Sequence, residues 1–130
     1  MTSEAFRNNP LFLRNQFEGE GTFQIPIVKK QHISLEQLRF IGYDHIKSDE
    51  RENKDSVVHF FLDDYKFEVL WNHPEPRLEK LKQYKAVLTP QYSLYTEMPI
   101  TLQIYNTFRN RWVGAYLQSN GITVIPTMCW

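Results

Sequence analysis

At 130 residues the chain has the length of one domain and is too short for two domains of ordinary size. It carries 15 lysine and arginine residues against 15 aspartate and glutamate residues, so no overall field attracts it to nucleic acid or to an anionic membrane. The single cysteine excludes an intramolecular disulfide. With no signal-peptide pattern and no apolar stretch of membrane-spanning length, these features predict a cytoplasmic protein with no membrane partner.

The first part of the chain is predicted to be an arm followed by an edge strand. Residues 1–20 show no clear hydrophobic period, and one helical turn is predicted at Leu11–Asn15. Alternating apolar residues predict a strand at Gly21–Val28. Pro26 places that strand at a sheet edge or bulge, because proline cannot donate to a strand ladder.

A short helix, a strand and a charged loop are predicted next. Ser34 and Gln37 form a capping-box pattern for the helix, and residues 40–43 are a second strand. Residues 47–56 carry both signs of charge and no large apolar group, so we predict a solvated surface loop. Residues 1–130 are therefore predicted to form one domain that this loop does not divide.

The rest of the chain alternates between strand and helix patterns. Apolar runs predict buried strands at 57–62, 85–89 and 122–126. Helical patterns separate these strands, at 77–84 and in a long segment that Met98 and Pro99 open and Gly121 ends. The resulting βαβαβ series predicts an α/β fold with a mostly parallel sheet, either a small open sheet or part of a barrel.

Two adjacent carboxylates, Asp63 and Asp64, follow the first of these buried strands. Parallel α/β proteins carry functional groups just beyond the carboxyl ends of their strands. The pair is therefore a candidate catalytic site, acting as acid and base or holding a magnesium ion. The alternative, which the sequence favours, is that one aspartate caps the next helix while the other faces water.

Possible zinc ligands are the side chains of four histidines and the single cysteine: His32, His45, His59, His73 and Cys129. Their spacing matches none of the patterns that make a zinc site specific, and no cofactor is predicted. The sequence leaves open whether His59, His73 or Cys129 holds a zinc ion.

Arginine and tyrosine side chains supply the candidate binding surface. Arg109 and Arg111 lie among amides on the long helix, and Arg109 is on the side opposite the apolar stripe, which suits a carboxylate, a phosphate or a protein contact. The alternative is a solvated helix face with a local ion pair. Tyr65, Tyr92 and Tyr95 are predicted to be exposed contact residues. The chain lacks a glycine-rich phosphate loop and a recognition-helix signature, which disfavours direct nucleic-acid binding.

Several blocks carry a resemblance to a known family. They are NPLFLRNQFEGEG (9–21), HFFLDDYKFEVLWNHPE (59–75), LTPQYSLYTEMP (88–99), IYNTFRNRWVGAY (104–116) and GITVIP (121–126). The chain resembles an uncharacterised family, a domain of unknown function found in phages and mobile elements of bacteria. The resemblance implies no established activity. It implies that longer members continue past Trp130, so the chain looks like a C-terminally shortened member.

The phage association implies an accessory protein that binds a host macromolecule, with a host defence nuclease of the CRISPR kind as the expected target. The neutral charge favours contact with the nuclease protein over mimicry of DNA. An open sheet edge favours self-association or a protein partner. The alternative is an enzyme, or the remnant of one, that uses Asp63 and Asp64 at the strand end. The question of catalysis stays open, and the sequence favours the binding protein.

Overall fold

The computed structural model describes residues 10–34, 36, 38–49 and 55–127. Four strands form a parallel sheet whose spatial order follows the chain: β3 Arg39–Gly42, β4 Ser56–His59, β5 Ala86–Leu88 and β6 Val124–Ile125. A separate antiparallel pair is made by β1 Gly19–Glu20 and β2 Ile25–Pro26. The α/β class with a mostly parallel sheet is confirmed.

Short helices and one long helix connect these strands. The α-helices are α1 Pro10–Leu13, α2 Glu68–Asn72, α3 Leu78–Leu81 and α4 Ile100–Ser119, and 3₁₀ helices occupy Tyr43–Ser48, Asp64–Lys66 and Glu75–Arg77. Helix α4 follows Pro99 and stops before Gly121, which has a φ of 84°. Both ends agree with the predicted bounds, because glycine adopts this left-handed conformation without steric cost.

The core lies around β4, β5 and α4. Successive side chains of a strand point to opposite faces, and both Val57 and Val58 of β4 are buried, so both faces of this strand are covered. They pair in register with Ala86 and Val87 of β5, which are buried too. The largest fully buried side chains are those of Trp112, Tyr92, Phe60, Phe67, Leu70, Leu81 and Leu117.

The predicted strand at Gly21–Val28 is wrong in its bounds. The chain forms a turn at residues 21–24 between β1 and β2, with φ values of 77° at Gly21 and 53° at Gln24. Two residues with positive φ interrupt the extended chain, so this segment forms a hairpin and not one strand. The alternation of apolar residues does not reveal the turn. Pro26 lies in a two-stranded sheet, where every strand is an edge.

Other predicted elements shift or fall outside the described part of the chain. The helical turn of the arm is observed as α1, and the strand predicted at 40–43 is observed as β3. The helix predicted at Ser34 involves residues 35 and 37, which lie outside the described residues. In the predicted loop at 47–56, the first two residues end a 3₁₀ helix, and Ser56 is buried in β4 because it pairs with β3.

Gly114 of α4 lies close to two residues, Thr89 just after β5 and Val28 just after β2, which makes it sensitive to substitution. A Cβ atom at this position would lie 2.6 Å from Thr89 Cγ2 and 2.9 Å from Val28 Cγ2. We expect Gly114→Ala to lower the free energy of unfolding by about 1–3 kcal/mol, because both neighbours have branched, short side chains that must move. Urea denaturation measures this loss.

The matched control is Ser119→Ala, at an exposed position of the last turn of α4. It should change the free energy of unfolding by less than about 0.5–1 kcal/mol. Equal stability of Gly114→Ala and the unsubstituted protein would contradict the close packing of Gly114 against Thr89 and Val28.

Candidate functional site

Two cavities lie at the carboxyl edge of the parallel sheet. A groove of about 510 Å³ separates the segment after β4 from the segment after β5. It is lined by Phe60, Phe61, Leu62, Asp63, Lys66, Gln91, Tyr92, Ser93, Leu94 and Tyr95. A smaller cavity of about 200 Å³ is lined by Gln91, Tyr92, Leu94, Asn106, Thr107, Asn110, Arg111 and Thr127. The two cavities share three lining residues, so they adjoin at this edge, where parallel sheets place their sites.

The structure gives the two predicted catalytic carboxylates different surroundings. Asp64 accepts hydrogen bonds from the Ser93 backbone N–H at 3.1 and 3.2 Å and from the Ser93 hydroxyl at 3.0 Å. Asp63 is exposed, lines the groove and makes no side-chain bond to the 3₁₀ helix that it precedes. The predicted helix cap is therefore wrong, because Asp64 binds the segment after β5 instead of its own helix. A catalytic role for the pair stays a prediction.

Arg109 is the centre of a polar network beneath the edge. Its Nη1 donates to both carboxylate oxygens of Glu68, at 2.8 and 3.0 Å, and its Nε and Nη2 donate to Asn106 Oδ1 at 3.2 and 2.7 Å. Asn106 Nδ2 in turn donates to the carbonyl oxygen of Ser93 at 2.7 Å. The guanidinium carbon also lies 3.9 Å from the centroid of the Tyr92 ring. The network thus ties α4 to α2 and to the segment after β5.

The predicted solvated helix face at Arg109 is wrong. Asn106 and Arg109 are only 6% and 8% exposed. The segment after β5 folds over this side of α4, so side chains that share a polar helix face are covered by the chain. The sequence allows for an ion pair between Arg109 and a nearby acid. The structure shows an ion pair, but the acid is Glu68, which is distant in sequence.

The three predicted contact tyrosines divide into two groups. Tyr65 and Tyr95 are 74% and 62% exposed, as predicted. Tyr92 is only 1% exposed, so its predicted exposure is wrong. Its ring packs 5.1 Å from the Phe67 ring, and burial raises the pKa of its phenol above the usual value. Within the described part of the chain, its buried hydroxyl has no hydrogen-bond partner.

The floor of the smaller cavity joins the ends of β5 and β6. The Thr127 N–H donates to Thr89 Oγ1 at 2.8 Å, and Asn110 Nδ2 donates to the Pro90 carbonyl at 2.8 Å. Arg111 lines the same cavity without an ion-pair partner among the described residues, and burial lowers the pKa of its guanidinium. Sequence reasoning did not assign Asn110 or Gln91 as site residues, although Gln91 lies just beyond the carboxyl end of β5 and Asn110 is next to Arg109 on α4.

The residues considered for zinc do not converge in the described structure. His59 stacks on Phe61 with ring centroids 5.6 Å apart, and its Nδ1 accepts the Phe61 N–H at 3.3 Å. His73 is exposed, and Cys129 lies outside the described residues. Over the ranges that the structure describes, no three His, Cys, Asp or Glu side chains are placed to hold a metal ion.

Residues 17–130 match a family described as a domain of unknown function (DUF4417), and the chain belongs to this family. It is 42% identical over 120 residues to the Gene 1 protein of Mycobacterium phage L5, an alignment that covers 92% of this chain and 52% of that protein. It is 51% identical over 74 residues to the Gene 1 protein of Mycobacterium phage D29, covering 57% of this chain and 27% of that protein. The predicted resemblance to an uncharacterised family with phage members is confirmed.

The chain spans about half the length of the first of these relatives and about a quarter of the second. No solved structure matches it. Among the described residues, none of the helices has the length and apolar character needed to cross a membrane.

The different roles of the two aspartates give a matched pair of variants. We expect Asp64→Asn to lower the free energy of unfolding by about 1–3 kcal/mol, because an amide turns an N–H group toward the donors of Ser93. Asp63→Asn should change it by less than about 0.5 kcal/mol, since Asp63 is exposed. Chemical denaturation measures both values, and equal losses would contradict the assignment.

Proposed function

We propose that the chain is a phage accessory protein that binds a host protein in the cytoplasm through the groove at the carboxyl edge of its sheet, and that the host protein is a defence nuclease of the CRISPR kind. The observation that carries the proposal is the exposed aromatic surface there. Phe61 and Tyr95 line the groove and are 64% and 62% exposed, and Tyr65 next to it is 74% exposed. Large aromatic side chains in this state are typical of protein contacts.

Charge supports a protein partner over a nucleic acid. The groove is lined by one carboxylate, Asp63, and one ammonium group, Lys66, whose Nζ lies 3.3 Å from Asp44 Oδ2, so the groove has no surplus of positive charge. The whole chain is neutral as well. Nucleic-acid binding depends on a surplus of positive charge that contacts phosphates, and mimicry of DNA depends on a surplus of negative charge. An aromatic groove with balanced charge suits a mixed polypeptide surface.

The state of Asp64 favours binding over the alternative of an enzyme. Both of its carboxylate oxygens accept hydrogen bonds from Ser93, which positions one wall of the groove. A carboxylate with these hydrogen bonds has a structural role, because it holds Ser93 in place at the groove. Of the candidate acid–base pair, only Asp63 lines the groove. Among the described residues, no second carboxylate lines the groove beside it.

The test begins with capture of a partner and ends with a measured affinity. The tagged chain is used to capture proteins from a mycobacterial lysate, since the two relatives belong to mycobacteriophages. A captured nuclease is then purified and titrated with the chain by calorimetry. The double variant Phe61→Ala, Tyr95→Ala should bind at least about thirtyfold more weakly, as expected for two central aromatic anchors. Equimolar chain should also stop cleavage of the nuclease's target DNA.

The control is Phe23→Ala, which removes an equally exposed aromatic side chain, 61% accessible, from the turn between β1 and β2. Its affinity should equal that of the unsubstituted chain. The proposal fails if the double variant binds as tightly as the control, if the chain captures only copies of itself, or if cleavage continues in the complex.

A further inference from the structure

A further cavity, here called the basic cavity, concentrates positive charge in a chain that is neutral overall. It has a volume of about 480 Å³ and lies beyond the carboxyl ends of β3 and β4, because Tyr43 and Asp44 follow β3 and Lys66 belongs to the 3₁₀ helix after β4. Among the described residues that line it, Asp44 is the one carboxylate. Four cationic side chains stand against it, so the lining has a surplus of three positive charges: Lys47, Lys66, Arg77 and Lys80.

Two of these ammonium groups are held in place by the protein. Lys80 Nζ donates to the carbonyl oxygen of Asp49 at 2.9 Å, and Lys66 Nζ lies 3.3 Å from Asp44 Oδ2. An ammonium group has three donors, so each of them keeps donors for a further acceptor. Arg77 and Lys80 are also half-buried, and solvent and salt screen such charges less than fully exposed ones. An anion that enters the basic cavity therefore meets positioned charges.

The chain itself offsets this positive charge only in part. Asp44 offsets Lys66, because the two side chains are in contact. Asp49, which follows the same 3₁₀ helix, is not part of the lining. Lys47 and Arg77 form no ion pair within the ranges that the structure describes. Like charges that share one cavity repel each other, and a bound anion with several charges would remove this repulsion.

Apolar side chains supply the rest of the lining and set the size of the ligand. Ile46, Val69 and Pro76 line the basic cavity together with Tyr43. Clefts that bind drug-sized organic molecules have volumes of about 300–1,000 Å³ and combine apolar walls with a few charged groups. A bare phosphate ion has the size of a few water molecules, at roughly 30 Å³ each, and would leave most of the space unfilled. The lining therefore suits an organic anion with several negative charges.

We propose that the basic cavity binds a nucleoside diphosphate. The two phosphate groups of this ligand carry about three negative charges at neutral pH, which equals the surplus of the lining. The phosphates contact Lys47, Arg77 and Lys80, and the base and ribose lie against Ile46 and Val69. Side-chain cations hold the phosphates, so their binding does not require a glycine-rich loop.

The inference goes beyond the proposed function and does not depend on it. Lys66 lines both the basic cavity and the aromatic groove, so the two sites adjoin. The other charged groups that carry the inference, Lys47, Arg77 and Lys80, are absent from the lining of the groove. A nucleotide can therefore bind whether or not a host protein occupies the groove.

The test is a calorimetric titration of the full chain with ADP, GDP, CDP and UDP at low ionic strength. At least one of these nucleotides should bind saturably below about 1 mM. Three matched probes each remove one feature of that ligand: the nucleoside lacks the charge, the nucleoside monophosphate lacks one phosphate group, and inorganic pyrophosphate lacks the base and ribose. We expect each probe to bind at least about tenfold more weakly.

Two variants connect the binding to the basic cavity. Arg77→Gln should weaken binding at least about tenfold and Lys47→Gln about fivefold, because each removes one charge from the lining. Lys47 is exposed, so its substitution leaves the fold intact. The matched control is Lys82→Gln, which removes the same charge from an exposed position outside the lining. Its affinity should stay within about twofold of that of the unsubstituted chain.

The proposal is overturned if none of the four diphosphates saturates at millimolar concentration, if any matched probe binds as tightly as the diphosphate, or if Lys82→Gln weakens binding as much as Lys47→Gln. Tighter binding of a hexaglutamate peptide than of any nucleotide would overturn it as well and would assign the basic cavity to an acidic protein segment. The double variant Phe61→Ala, Tyr95→Ala should bind the nucleotide normally. Loss of partner binding in that variant with unchanged nucleotide binding separates a failure here from a failure of the proposed function.

Discussion

A buried guanidinium holds the carboxyl edge of this protein together. Arg109 of α4 pairs with Glu68 of α2 and, through Asn106, reaches the backbone of Ser93 in the segment after β5. The same Ser93 donates to Asp64, which follows β4. Removing one partner of a buried ion pair destabilises the fold, because the other charge is left buried without a partner. The relative positions of these four parts of the chain therefore depend on one side chain, and so do both cavities at the edge.

The next turn of α4, at Trp112, packs against the N-terminal arm. The Arg14 guanidinium lies 3.5 Å from the ring centroid of Trp71 and 4.3 Å from that of Trp112, and it donates to the Trp71 carbonyl at 2.7 Å. Burial lowers the pKa of Arg14 to about 10, which still leaves it charged at neutral pH. Helix α4 is thus contacted by two arginines, the buried Arg109 and the half-buried Arg14.

The sequence predicts the scaffold better than the site, for physical reasons. Apolar runs reveal β4, β5 and β6, because a strand that is buried on both faces has consecutive apolar residues. Pro99 and Gly121 reveal the ends of α4 through their backbone preferences. The local sequence does not show whether a polar helix face contacts water or another part of the chain. Arg109 has the spacing of a solvated side chain and is buried only because the distant segment around Tyr92 folds over it.

The account is tested most directly by amide hydrogen exchange at Ser93, whose N–H is bonded to Asp64. The variant Arg109→Met keeps the apolar bulk of the side chain but removes the bonds to Glu68 and Asn106. The account predicts that exchange at Ser93 becomes much faster while amides of β4 and β5 stay as protected as before, because the edge loosens and the sheet does not. Unchanged protection of Ser93 in a folded Arg109→Met protein would contradict the central role of Arg109.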